Sequence, residues 1–253
     1  MSIQSPQEWD GMSRISRIVA ETLFRMQAFA RPGMTTGELD AFGAQQLKAY
    51  GARSAPAQDY RFPGSTCISI NHQAAHGIPS PSTVLKEGDL VNIDVSAEKD
   101  GYYGDNGASF ILGRDLRGLQ GLVDASRTIL MGAINQIRAG QRISETGRFI
   151  ERQARLLGYT TIRNLTGHGI GHKLHEEPHE IPNYYDRSNR QRFMKNTAVA
   201  IETFISTGAR EVTEQADGWT LSTRDGSFVA QHEHTIVVTQ GKPVILTLEN
   251  GIT

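Results

Sequence analysis

The stretch from Leu90 to Leu112, LVNIDVSAEKDGYYGDNGASFIL, restricts the fold more than any other part of this chain. Leu90, Val91, Ile93 and Val95 give it the apolar, β-branched character of one strand. Tyr102, Tyr103, Phe110 and Ile111 do the same for a returning strand, with Glu98-Lys99-Asp100-Gly101 as turn chemistry between them. Asp94 and Asp105 interrupt backbone that ought to be buried. Paired residues of an antiparallel hairpin share a constant number sum. A two-residue turn at Lys99-Asp100 or Asp100-Gly101 makes that sum odd, and 94 with 105 is odd too. Both aspartates are therefore predicted on one face, directly opposed or one diagonal apart. Like charges buried that close need a proton or a cation between them, and a hard divalent metal is the stronger candidate.

The remainder of the chain follows one plan twice. Ser5-Pro6-Gln7-Glu8 is a capping box with proline at the first helical position. Trp9, Met12, Ile15, Val19, Leu23 and Met26 then form an amphipathic stripe that ends by Arg31-Pro32-Gly33. Thr35 and Glu38 make a second capping box, opening a helix with Leu39, Phe42, Leu47 and Tyr50 that Gly51 closes. Further on, a helix is predicted from about Leu116 to Arg138, ending at Ala139-Gly140. Ser144 is the expected cap of another, with Ile150, Ala154 and Leu157 on its apolar side and Gly158 closing it. Gly33 to Gly51 and Gly140 to Gly158 both span 18 positions; Asp94 then follows Gly51 by 43 and Glu202 follows Gly158 by 44. Equal helix lengths also arise by coincidence, but the repeat of the acidic strands favours an internal duplication, too long in period for a solenoid. The expected fold is α+β, with two helix–helix–sheet halves, roughly 1–115 and 116–253, packed about a pseudo-twofold axis around a cleft. With no low-complexity linker, 1–253 reads as one catalytic domain.

A chain of 253 residues can bury about three-quarters of its unfolded surface. Its formal net charge of −1 offers nothing to nucleic acid or an acidic membrane. The single cysteine, Cys67, excludes an internal disulfide and fits a reducing compartment. The start, MSIQSPQEWDG, lacks the basic and apolar regions of a signal peptide, and no run has the length of a membrane span. A cytoplasmic monomer is the expectation.

Three further segments carry candidate chemistry. In NLTGHGIGHKLHEEPHEIP, Gly167 and Gly169 flank His168; glycines there would let the backbone approach a bound group and hold the imidazole in an irregular loop. A lone histidine is more often a hydrogen-bonded core or surface residue, but the Gly-His-Gly-Ile-Gly setting favours a site. The strand AVAIETFI, 198 to 205, carries one charge, Glu202, as an edge residue or a ligand. Glu233 in QHEHTIVV, taken alone, reads as a solvent-facing residue of an alternating strand. Together Asp94, Asp105, His168, Glu202 and Glu233 are four carboxylates and one imidazole, a set suited to two first-row divalent ions such as Mn, Fe, Co or Zn. Mg or Ca would not favour the histidine, and structural zinc would use cysteine or more histidine. Two such ions can acidify a shared water and polarise a carbonyl, the equipment of hydrolysis. His76 and His175 lie beside these segments as candidate hydrogen-bond donors to a substrate amide or a developing oxyanion.

Five ordered motifs now stand out: CISINHQAAHGIP (67–79), the NIDV…DGYYGD hairpin, GHGIGHKLHEEP (167–178), AIET (200–203) and WTLSTRDGSFVAQHEHTIVVT (219–239). In that order they resemble the type I methionine aminopeptidases, of the pita-bread fold, along essentially the whole chain. The resemblance implies that Asp105 and Glu233 bridge two metals, that Asp94 completes one, and that His168 and Glu202 complete the other. It implies that the free α-amine of the peptide binds metal, that Glu202 shuttles a proton, and that His76 and His175 position substrate and stabilise the tetrahedral intermediate. Phe62 and Trp219 would contact the substrate. The implied reaction is removal of the initiator methionine from a peptide or nascent chain, with the ribosome a candidate partner and neither nucleic acid nor membrane bound.

Some residues depart from the family pattern. Thr203 follows Glu202 where proline is usual. The methionine pocket aligns with Pro56, Asp59 and Leu174 where familiar members carry a cysteine and aromatics. An acidic residue buried unpaired there would be costly, so Asp59 either points to solvent or alters side-chain preference. His172 reads as a rim feature. Alternatives within the fold are Xaa-Pro aminopeptidases and prolidases, which usually add an N-terminal domain, and creatinase-like members, which lack the metal set. A non-catalytic relative docking on ribosomes or nucleic acid would tend to lose ligands, and all five are present.

Overall fold

The structure is a computed structural model that describes residues 1–248; residues 249–253, the end of the second expected half, lie outside the described residues. Helices α1 (Pro6–Phe29) and α2 (Thr36–Ala49), strand β1 (Arg53–Ser54) and helix α3 (Ala55–Tyr60) come first. Strands β2 (Cys67–Ile70), β3 (Gln73–Ala75), β4 (Leu90–Lys99) and β5 (Tyr102–Ile111) complete the first half. The second opens with α4 (Gln120–Ile134) and α5 (Ile143–Leu156), then β6 (Thr160–Thr161), β7 (Thr166–Gly169) and β8 (Glu176–Pro182). Strands β9 (Ala198–Ser206), β10 (Thr213–Glu214), β11 (Leu221–Ser222), β12 (Val229–Val237) and β13 (Val244–Ile245) follow.

Both capping boxes form: Ser5 Oγ accepts from Glu8 N at 3.2 Å and Glu8 Oε2 from Ser5 N at 3.1 Å, with the reciprocal pair at Thr35 and Glu38. Met12, Ile15, Val19, Leu23 and Met26 are buried as the stripe requires, whereas Trp9 is 38% exposed. The second helical hairpin departs from expectation at its ends. Helix α4 begins at Gln120 because Asp115 accepts hydrogen bonds from the backbone N–H groups of Arg117, Leu119 and Gln120, holding the chain in a turn. It ends at Ile134, before a short run of turns to Gly140. Helix α5 is capped by Arg142 without a side-chain bond, so Ser144 is not its cap. Ile143 N instead donates to Gln191 O, so tertiary pairing satisfies a donor that the cap would have served. Leu157 is 51% exposed, so the buried stripe of α5 ends at Ala154.

One sheet runs in the order β1-β4-β5-β12-β9-β7-β8, with β2 also pairing β4, β6 pairing β9 and β13 pairing β12. Helices α1 and α2 pack their apolar faces on Val91, Ile93, Val95 and Ala97 of β4, and α4 with α5 packs on Ile205 and Ala230. The alternate residues of those strands face the opposite way, toward a cleft. Gly33, Gly51, Gly140 and Gly158 all take positive φ, so the matched spacing reflects matched helix ends. The hairpin β4–β5 and the pair β9–β12 meet at β5–β12, an arrangement that reads the same from either end. Among the described residues, no helix is long and apolar enough to cross a membrane.

A candidate metal centre and its cleft

The five candidate ligands sit on five neighbouring strands, one on each. Across the sheet the order is Asp94 on β4, Asp105 on β5, Glu233 on β12, Glu202 on β9 and His168 on β7. The hairpin turns at Asp100-Gly101, both at positive φ, and Lys99 pairs with Tyr102. Asp94 therefore opposes Gly107 and Asp105 opposes Ser96, placing the two carboxylates one diagonal apart on one face. Glu202 and Glu233 are direct cross-strand partners, and His168 pairs with Ala200, two residues before Glu202 on the same face. All five line one cavity of ≈ 390 Å³.

Ligand atoms of Asp105, His168 and Glu233 lie within 4.8 Å of one another, and His168 Nε2 is 3.7 Å from Asp105 Oδ2. These three residues are buried, Glu233 to 1% exposure, so it does not face solvent as its strand alone suggested. Asp94 Oδ1 and Glu233 Oε1 are buried without a hydrogen-bond partner among the described residues. Desolvation pushes Asp94 up to about 6, and desolvation with mutual repulsion holds Asp105, Glu202 and Glu233 well above the usual carboxylate range. His168 is pushed down to about 3 by burial and then by the neighbouring His175. Buried carboxylates with unsatisfied oxygens and an imidazole that resists protonation are what a divalent cation would stabilise, so the residues present fit a metal. Gln231 stiffens the patch: its Nε2 donates to Glu233 Oε2 at 3.1 Å while Asn92 Nδ2 donates to its Oε1 at 2.7 Å.

The glycines around His168 serve a different purpose from the one their sequence setting suggested. His168 lies in strand β7, not in an irregular loop. A Cβ on Gly167 would come within 2.5 Å of Ala200 O, and one on Gly169 would collide with Glu177 O. These glycines let neighbouring backbones close on β7 rather than admit a ligand.

His76, His175, Phe62 and Trp219 line the same cavity. His76 has a left-handed backbone, φ 53°, uncommon without glycine, and this turns it toward the cleft. Its ring is reached by solvent from the cleft while protein surrounds its other sides, and that desolvation lowers its pKa. Phe62 meets Trp219 edge-on at 5.3 Å between ring centroids, forming an apolar wall with Pro56 and Leu174. Asp59 is exposed, is not a lining residue, and accepts from the Tyr103 hydroxyl at 3.2 Å. His172 likewise lies outside the lining, exposed, its Nδ1 2.9 Å from Gly101 O. Thr203 faces away from the cleft, its Oγ1 3.1 Å from Ser126 Oγ of α4.

Sequence reasoning missed Tyr60, which lines the cavity and places its hydroxyl 2.7 Å from His175 Nδ1. The available signal was Ser54 ahead of Pro56. Ser54 Oγ caps α3 by accepting from Ala57 N, and helical geometry then puts Pro56 and Tyr60, four apart, on one face.

A family model for metallopeptidase family M24 matches residues 10–240. Methionine aminopeptidase 2 of Bacillus subtilis is 48% identical over 247 residues, 98% of this chain and 99% of that protein. A methionine aminopeptidase of Staphylococcus epidermidis is 41% identical over 248 residues, 98% of each. The crystal structure of methionine aminopeptidase from Thermotoga maritima has a TM-score of 0.92 at 34% identity, covering 98% of this chain and 99% of that one. Prolidase from Pyrococcus furiosus has a TM-score of 0.77 at 20% identity and covers 97% of this chain but 65% of that one, a likeness of fold alone.

Proposed function

The chain belongs to metallopeptidase family M24 and is a metal-dependent aminopeptidase, and on that premise we propose that its cleft removes the amino-terminal methionine of peptides and nascent chains. Asp94, Asp105, His168, Glu202 and Glu233 would hold two divalent ions, Mn, Fe, Co or Zn. Two dications would match the charge of four carboxylates, and Asp105 and Glu233, on adjacent strands with Asp94 to one side and Glu202 and His168 to the other, would serve both. The strongest support is the convergence of these side chains on one cavity, where Asp94 Oδ1 and Glu233 Oε1 are buried without partners among the described residues.

When bound, the ions would supply Lewis acidity, lowering the pKa of a water and polarising the scissile carbonyl. The protein's own groups do the rest. Glu202, a carboxylate lining the cleft, would accept a proton from the attacking water and return it to the departing amine. His76 and His175, held neutral by desolvation and exposed to the cleft, would donate hydrogen bonds to the substrate amide and to the oxygen that gains charge. Phe62, Trp219, Pro56 and Leu174 offer an apolar wall for an unbranched, flexible methionine side chain.

Dialysis against a chelator is expected to abolish hydrolysis of Met-Ala-Ser, and Mn or Co to restore it. Activity insensitive to chelation would refute the metal centre. A preference for Xaa-Pro peptides over Met-Ala-Ser would refute methionine as the first residue.

A further inference from the structure

His168 and His175 lie side by side, ring centroids 4.2 Å apart, yet their Nδ1 atoms meet opposite kinds of partner. His168 Nδ1 is 3.0 Å from Gly169 O. A carbonyl only accepts, so Nδ1 of the neutral ring carries the proton and Nε2, facing Asp105, is bare. His175 Nδ1 instead faces the Tyr60 hydroxyl, a group able to donate. We infer that Tyr60 is a positioning residue that fixes the tautomer of His175 by donating to Nδ1, so that His175 presents Nε2–H to the substrate. Its consequence for turnover presupposes the aminopeptidase reading of the cleft.

Two arguments favour this direction of the hydrogen bond, and a third observation shows that the hydroxyl is placed to make it. A phenol is a good donor and a neutral imidazole nitrogen a good acceptor; the reverse arrangement leaves the phenol proton to solvent. The reverse would also leave His175 with a bare Nε2 in a cavity already lined by Asp94, Asp105, Glu202 and Glu233, where a donor is complementary and a second lone pair is not. Finally, the hydroxyl is held in place. Tyr60 ends α3, where Arg61 turns left-handed at φ 60° and returns its N–H to Pro56 O. On the far side, Asp59 ties the same helix to β5 through Tyr103. The Tyr60 ring also packs edge-on against His175, centroids 5.6 Å apart. Adjacent histidines are thus set in opposite tautomers by the partners of their Nδ1 atoms, one as a ligand and one as a donor.

Tyr60→Phe tests this, because it keeps the ring and removes only the hydroxyl. Long-range ¹H–¹⁵N spectra of the metal-free protein, with His175 assigned through a His175→Gln variant, read the tautomer directly. The wild type is expected to show His175 protonated at Nε2, and Tyr60→Phe a shift toward a mixture. With the Mn-loaded enzyme and Met-Ala-Ser, kcat is expected to fall about 3- to 10-fold, the weight of one hydrogen bond. KM should stay within about twofold and metal content should not change. A wild-type His175 protonated at Nδ1, a tautomer unchanged by the substitution, or a loss confined to KM would overturn the assignment. If the wild type cleaved no methionyl peptide, the aminopeptidase reading would fail, while the spectra would still decide the role of Tyr60.

Discussion

Glu202 is under two opposed demands. As a half-buried carboxylate directly across from Glu233, its pKa raised by desolvation and by Asp94, it is expected to destabilise the metal-free fold; as a ligand and proton carrier it is proposed to be indispensable. Glu202→Gln separates these demands, since the amide keeps the shape and removes the charge. Turnover of Met-Ala-Ser is expected to fall by about 100-fold or more. The metal-free melting temperature is expected to rise by about 2–4 °C, equivalent to about 1 kcal/mol in a chain of this size. Near-normal turnover would refute the assignment. Residues of this kind were legible in the sequence because a charge in an apolar strand demands a partner. Tyr60 was not: its importance comes from what faces it, and His175 lies 115 positions away.

Strand β7 shows how an element can be built around absent side chains. It lies between β9 and β8, and Gly167 and Gly169 leave no room for a Cβ against Ala200 O and Glu177 O. Gly169→Ala would push β8 from β7 and displace His168, the preceding residue of β7. The expected cost is about 1–3 kcal/mol in chemical denaturation, with weaker metal binding in titration calorimetry. Unchanged stability and affinity would show that the backbone contact does not hold β7. The same dependence on partners explains the sequence errors at α4 and α5. Ser144 looks like a cap, but the chain is already held at Arg142, which bridges to Arg192, just as Thr35 of the first half bridges to Val84. In that first half the local motif and the tertiary pairing agree; in the second the pairing alone remains.

Across the whole molecule, the pseudo-twofold relation of the two halves puts the carboxylates in pairs. Exchanging the halves maps β4 onto β9 and β5 onto β12, so Asp94 corresponds to Glu202 and Asp105 to Glu233. His168 breaks the symmetry: it pairs with Ala200, and the corresponding pair in the first half is Ser69 of β2 with Asn92 of β4. A patch with four carboxylates raised above their ordinary range makes the metal-free fold hold more protons than the unfolded chain. Its contribution is intact below about pH 4 and is lost as pH rises through about 6, the value for Asp94, and beyond it for the others. His168, lowered from 6.5 to about 3, acts in the opposite sense between those values. His76, His175 and His232 are lowered by burial as well and act with His168 below about pH 6.5, so the metal-free melting temperature is expected to fall only above about pH 7, where the carboxylates alone still lose protons. Mn competes with those protons, so the rise in melting temperature on adding it is expected to grow over the same range. A metal-induced rise independent of pH, measured by scanning calorimetry, would contradict ligation by these groups.

The sequence by itself determined the helix ends marked by the two capping boxes and the positive-φ glycines, the parity that puts Asp94 and Asp105 on one face, and the residue types of the candidate centre. Those are local properties, set by periodicity of two or 3.6 and by backbone sterics within a few residues. Only the tertiary structure decided that β12 inserts between β5 and β9, which turns the chain order of the five candidate ligands into a spatial row. It also decided that Asp59 turns out to Tyr103 while Tyr60 turns in to His175. Strand order and the facing of a short helix depend on contacts between residues tens of positions apart, and no spacing along the chain encodes them.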